Sequence, residues 1–195
     1  LPALVVVTQR PRELTRKQLR ELLLELDKAG FTEANLTTAW REMTNQDIAA
    51  LSSSGVAGMT STQISALTTG QLASLTPAQI GSLSTTALAG LSLGQMLSLT
   101  STQMGGFSAT QVTALDAYQL GLLNTTQLRA LSTGGVAGLT ATNIDYFTST
   151  QLQSLRTTQI SALSTTAIQS LDATEMGVLT SSQFASLTPT QISAL

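Results

Sequence analysis

The sequence predicts an all-α fold: a solenoid of short capped helices, one per eight-residue repeat, with an N-terminal helical cap. The first observation is a period. An apolar residue falls at every eighth position from Leu51, through Met59, Leu67, Leu75, Leu83, Phe107 and Phe147 to Leu195, and a second series keeps step from Val56 through Ile64, Leu72 and Ile80 to Ile192. All 19 positions of the first series and all 18 of the second are apolar in a chain that is 42% apolar, and self-similarity at a fixed spacing is the signature of repeat architecture. The second observation is that Ser or Thr follows the first apolar residue in 14 of 18 octads, with Asp116, Asn124 and Asp172 in three more and Arg156 in the last. The third is Gln three residues after that position in 12 octads, among them Gln63, Gln71, Gln79 and Gln191, with Glu175 in another.

Together these make a capping box. The Ser or Thr side chain accepts from the backbone N–H three residues on, and the Gln side chain returns to the cap's own N–H. The apolar residue before the cap and the one after the Gln bracket the box as a hydrophobic staple. Pro77 and Pro189 stand directly after a cap Thr, the one helical position that proline tolerates. The residue before the next apolar position is small at Gly58, Ala66, Ser74, Ser82, Gly90 and Gly106, as close approach of neighbouring segments requires, whereas Leu122, Tyr146 and Val178 depart from this.

Competing architectures fare worse. In one straight helix, eight residues rotate the apolar stripe by roughly 80° per repeat, so no continuous face forms. In an unbroken strand, apolar residues five and three apart point to opposite faces. A β-solenoid with a turn in every octad escapes that objection, and disordered low complexity fits the Ser/Thr/Gln content but not the unbroken apolar register. A turn or two of helix is marginal in water, so octads must bury their apolar pairs by stacking in a coil. Sparse charges suggest a number: Arg129 and Asp145 share an octad position two octads apart, as do Arg156 and Asp172, and two octads per coil would stack them. A longer period of 80 relates the run 53–58 to 133–138 and the run 84–88 to 164–168, which points to tandem duplication of ten octads.

Charge divides the chain near residue 50. Residues 1–50 carry seven Lys/Arg and seven Asp/Glu; the other 145 residues hold only Arg129, Arg156, Asp116, Asp145, Asp172 and Glu175. The expected domains are therefore a charged helical cap segment, 1–50, and an octapeptide-repeat α-solenoid, 51–195. In the first, Glu13 to Leu19 opens a charged helix running to about Ala29, with Gly30 as its stop. Phe31 to Leu36 opens a second helix through Trp40, and Met43 to Leu51 already fits the octad.

Residues Leu14 to Leu22, Leu26 to Ala34, Ala39-Trp40 and Asn45 to Ala50 resemble the C-terminal helical region of the motor (R) subunit of type I restriction endonucleases. The resemblance covers about a quarter of the chain and implies a role in assembly with the modification complex, since the family's nuclease and helicase motifs lie elsewhere. The family would continue into another apolar helix, whereas this chain turns to Leu51-Ser52-Ser53-Ser54-Gly55. A chimera, natural or engineered, is the expected origin. The octads, of the form Leu-Thr-x-x-Gln-Ile-x-x-Leu, resemble repeats of very large bacterial proteins.

No catalytic, cofactor-binding or metal-binding residue is expected. The chain has no His and no Cys, which removes imidazole bases, thiolates, disulfides and the commonest zinc ligands. Asp116 and Asp172 read as caps and Glu175 as a box partner. Gly105-Gly106 and Gly134-Gly135 lack the Gly-x-Asp that follows in calcium-binding nonapeptides, and no phosphate-loop Lys exists after Lys28. Two Arg in 145 residues form no basic stripe, so no nucleic acid is expected along the repeats; Arg10, Arg12, Arg16, Lys17 and Arg20 are interleaved with acids and read as a solvated helix face. The apolar start, Leu1 to Val7, is too short for a signal peptide, no run is long enough to span a membrane, and both ends look like cuts in a longer protein.

What remains is the small-polar surface after each cap: Ser61-Thr62, Thr85-Thr86, Thr125-Thr126 and Thr157-Thr158. The expected function is a non-enzymatic structural or adhesive module, a rod-like segment of a longer bacterial surface or secreted protein, with protein contact or self-association as its partnership. The alternatives are a protein- or peptide-binding scaffold and an assembly segment of a restriction motor subunit.

Overall fold

A computed structural model of the chain describes Trp40, Arg41 and residues 43–195. The helix expected from Glu13 to Ala29 and the start of the next at Phe31 lie outside the described residues; Trp40 and Arg41 are helical. From there on, every octad forms one helix of four to six residues, nineteen in all among the described residues, from Asn45–Ala49 to Pro189–Ile192, with no strand.

Each octad is built the same way. In Thr148 to Leu155, the cap Thr148 is extended at φ −74°, ψ 158°, the helix Ser149–Ser154 follows, and Leu155 returns to extended backbone at φ −61°, ψ 140°. The Leu155 N–H closes the last turn on the Leu152 carbonyl at 3.2 Å, an i to i−3 bond that tightens a helix end. After a six-residue helix such as this, two extended residues, one apolar and one capping, swing the chain into the next octad; a shorter helix such as Thr69–Ala73 first ends on a residue in helical backbone, Ser74. The first octad already begins before Leu51: Thr44 and Asp47 form a complete box on Asn45–Ala49.

Contacts between helices divide the chain into two compact units, Leu1–Ser98 and Leu99–Leu195. Inside each, a helix packs on the helix three octads away. In the first unit Ser53–Ala57 meets Pro77–Ser82 and Ser61–Ala66 meets Thr85–Leu88; in the second Ser101–Met104 meets Thr125–Ala130 and Thr157–Ala162 meets Ser181–Ala185. The coil therefore takes three octads per turn, and the two-octad coil suggested by Arg129–Asp145 and Arg156–Asp172 is wrong. Arg129 instead donates from Nη1 to the Ser154 carbonyl at 3.3 Å, 25 residues on. Two short segments folded back on each other can only lie flat, whereas three enclose a triangle whose interior takes two apolar side chains from each. Leu120, Leu128, Val136, Ile144 and Ile160 are completely buried there. The 80-residue duplication is ten octads, which is not a whole number of three-octad turns.

Two glycines are required by proximity rather than by backbone angle. A Cβ on Gly90 would lie 2.6 Å from the Ser61 Cα, and one on Gly138 would lie 2.6 Å from the Ala109 Cα, so successive turns touch backbone to backbone at these points.

Candidate functional site

The repeated polar feature of the interior is the Gln of the capping box. Gln159 Oε1 accepts the Arg156 N–H at 2.8 Å, while Nε2 donates to the carbonyls of Leu128 at 2.8 Å and Leu131 at 2.9 Å in the turn below. One amide thus closes its own helix start and fastens it to the preceding turn. Gln183 does the same to Leu152 and Leu155, Gln191 to Ile160 and Leu163, Gln151 to Leu120 and Leu123, and Gln95 to Ile64 and Leu67. The partners stand 31 and 28 residues earlier each time. The orientation of each amide is decided by its surroundings, because only oxygen can meet the cap N–H and only nitrogen can meet two carbonyls. These side chains are as buried as the leucines around them; Gln159 and Gln191 are 1% exposed.

Asn143 holds the equivalent place with a shorter arm. It completes the box on Thr140 and reaches one carbonyl of the lower turn, that of Leu115, at 3.4 Å. Glu175 and Asp47 also complete boxes, but a carboxylate has no proton to give a carbonyl, and both sit in half-buried positions. A capping box accepts Glu as readily as Gln, so the excess of Gln over Glu, 12 to one, was the available sign that this residue must also donate.

A second set of bonds runs the other way, from the residue two after the Gln position to the turn above. Thr113 Oγ1 donates to Gly138 O at 2.6 Å, Ser161 Oγ to Ser186 O at 2.8 Å and Gln169 Nε2 to Ala194 O at 2.8 Å. Arg129 is a member of this set, not of an ion pair.

The acids weighed in the sequence take structural places. Asp116 accepts from Gln119 N at 2.8 Å and Asp172 from Glu175 N at 2.7 Å, with Glu175 returning to Asp172 N at 2.9 Å. Arg156, the odd cap, makes no side-chain cap bond. Among the described residues no group of three acids, His or Cys stands together, and no helix is long and apolar enough to cross a membrane. The polar pairs behind the caps are outward: Thr157 and Thr158 are exposed, Thr85 and Thr125 half-buried with Thr86 and Thr126 exposed, and Ser61-Thr62 half-buried. Three octads per turn align what the sequence keeps 24 apart, so in the second unit exposed Thr102, Thr126, Thr150 and Thr174 run along one edge. Leu122 and Tyr146, two of the departures from small residues, are likewise 24 apart; Tyr146 and the nearby Tyr118 are exposed, and Leu122 is half-buried.

Two stretches match the ALTTAQ repeat, residues 41–77 and 122–157. Residues 1–54 match the C-terminal region of the EcoEI R protein. Over 49 residues the chain is 53% identical to the type I restriction enzyme EcoKI endonuclease subunit of Escherichia coli (strain K12), a stretch that is 25% of this chain and 4% of that subunit. No solved structure matches the chain. Both resemblances read from the sequence therefore hold: octad repeats over most of the chain, preceded by a segment akin to the end of a restriction motor subunit.

Proposed function

We propose that this protein is a non-enzymatic structural module, in which residues 51–195 are an octapeptide-repeat spacer or adhesive segment of a longer bacterial surface or secreted protein and residues 1–50 cap the first turn. One observation carries the reading: the side chains that chemistry would need are used by the architecture. The hydroxyls and acids at the helix starts cap, the Gln amides fasten turn to turn, and of the two Arg in the repeats one donates to a carbonyl and the other stands at a cap position. The exposed hydroxyl edge of Thr102, Thr126, Thr150 and Thr174 supports contact with another polar surface. Protein contact or self-association fits the repeats, whose two Arg in 145 residues form no basic stripe for nucleic acid.

The 53% identity over 49 residues favours a second reading, in which the first fifty residues dock onto a modification complex. Protease treatment of intact producing cells separates the two. Loss of the repeats from intact cells, with cytosolic proteins spared, is the outcome expected for the surface module. Full protection, with the chain co-purifying with a modification subunit, overturns it in favour of assembly.

A further inference from the structure

In four octads of the second unit the residue two after the Gln position donates to the carbonyl 25 residues on: Thr113 to Gly138 O, Arg129 to Ser154 O, Ser161 to Ser186 O and Gln169 to Ala194 O. On one face of that unit the pattern breaks twice in succession. Octad 139–146 packs on octad 115–122 below it, through Asn143 Nδ2 and Leu115 O, and against octad 163–170 above it, where Ala141–Ile144 meets Thr165–Gln169. Gly121 stands below the Tyr146 carbonyl with no side chain to offer, and Asp145 stands below the Ser170 carbonyl with a carboxylate that has no proton to give. Among the described residues neither carbonyl accepts a hydrogen bond, and the Asp145 carboxylate has no partner. The turns also part here. A Cβ on Gly105 would lie 3.5 Å from Ala130 O, the carbonyl 25 residues on, whereas one on Gly121 meets nothing within 4 Å. Tyr146 holds the octad position of Gly138, which lies against Ala109, so the register sets Tyr146 above Ala117 and beside Tyr118. Both rings are exposed, Tyr118 at 61% and Tyr146 at 43%, and Leu122, one helical turn on from Tyr118, is half-buried.

We infer that this face binds arginine side chains, supplied by residues 9–20 of a second copy of the chain. The face offers acceptors without donors: two backbone carbonyls and one carboxylate, flanked by two aromatic rings. A guanidinium fits it group for group. It carries five N–H donors and no acceptor, pairs with a carboxylate through two parallel bonds, and stacks on an aromatic ring. A lysine ammonium meets the charge but lacks the planar fork. The two Arg of the repeats lie in other octads, and Arg129 is already held by the Ser154 carbonyl. Residues 9–20 carry Arg10, Arg12, Arg16, Lys17 and Arg20 against Glu13 alone, with Leu14 and Leu19 between them. Their positive charge complements Asp145, and their leucines suit Tyr118, Leu122 and Tyr146. The inference rests on the self-association proposed above and names the two surfaces that meet in it.

The test uses the full 195-residue chain and a labelled peptide of its own residues 9–20. Fluorescence anisotropy should show saturable binding of one peptide per chain. Asp145→Asn should weaken it about tenfold, the loss expected when a hydrogen-bonded charge is removed, and Tyr118→Ser about threefold through the lost ring. Both side chains are exposed, so helical circular dichroism should stay unchanged. Asp172→Asn keeps a capping residue at a carboxylate outside the face and should leave binding as it was. A peptide with Lys at its four Arg positions should bind about threefold more weakly. Sedimentation should show a self-association of the chain that Asp145→Asn removes. No saturable binding up to about 1 mM peptide overturns the inference, as does a lysine peptide that binds as tightly as the original, or an Asp172→Asn chain that loses as much as Asp145→Asn. A chain that self-associates yet ignores the peptide overturns the inference and leaves the self-association reading standing; a chain that stays monomeric at about 1 mM overturns both.

Discussion

Gln159 Nε2 lies 2.9 Å from the carbonyl oxygen of Leu131, 28 residues earlier in the chain. That contact, repeated in octad after octad, makes a local helix cap into a tertiary fastener. Replacing Gln159 with Ala takes this partner from the Leu131 carbonyl and the Arg156 N–H and leaves the Leu128 carbonyl only the Leu131 N–H, and is expected to cost about 1–3 kcal/mol; urea unfolding measures it.

Glu at the same position separates the two roles. Gln159→Glu keeps the acceptor for the Arg156 N–H but turns a carboxylate on two carbonyl oxygens, which raises the carboxyl pKa above its usual value of about 4.3. An acid whose pKa is raised on folding binds more protons in the native state, so the stability lost at neutral pH returns as pH falls. The variant should therefore be less stable than Gln159→Ala at pH 7 and regain stability toward pH 4, where a proton restores a donor. A deficit independent of pH between 4 and 7 would show that the carbonyl contact is not made.

Arg156 occupies a cap position without a cap bond. The Gln159 N–H donates to the Arg156 carbonyl at 2.9 Å instead of to a side chain; Arg156→Thr supplies a side-chain acceptor and should stabilise the chain by up to about 1 kcal/mol, whereas Thr148→Ala should cost about 1 kcal/mol. Thermal melts of the pair give opposite signs.

Glycine substitutions divide by what lies opposite. Gly138→Ala drives a methyl group into the backbone of Ala109 and should destabilise by about 1–3 kcal/mol, the usual range for overpacking. Gly121, inside the helix Ala117–Leu122, has nothing within 4 Å of the place an added methyl group would take, and Gly121→Ala should stabilise by about 0.5–1 kcal/mol through helix propensity and the less flexible unfolded chain. Denaturant midpoints of the two variants check both.

Exposure predicts a similar contrast in the helix Ala117–Leu122. Leu120 is fully buried and Tyr118 is 61% exposed, so Leu120→Ala should cost about 2–5 kcal/mol and Tyr118→Ser no more than about 0.5 kcal/mol. A large loss at Tyr118 would mean that this side chain is covered in solution.

Much of this was legible in the residues. The box of Thr148 and Gln151, the proline after Thr76 and the apolar bracket of Leu67 and Leu72 are relationships within about one octad, and a spacing of at most five residues leaves its pattern in the sequence directly. The role of Gln as a donor was half-visible in its excess over Glu. The partner of Arg129 was not visible: reading Asp145 as its mate assumed that opposite charges choose each other, while the guanidinium is satisfied by the Ser154 carbonyl, which any residue at position 154 would provide.

The sequence by itself determined the octad: where each helix starts, which two side chains turn inward, and that the unit cannot stand alone. Only the tertiary structure decided that three octads complete a turn, so that residues 25, 28 and 31 apart meet. The physical reason is that a strict period of eight fits a coil of two, three or four octads equally well. The choice is made by how many short helices can enclose a filled apolar interior, which is a property of packing in three dimensions and writes no further mark along the chain.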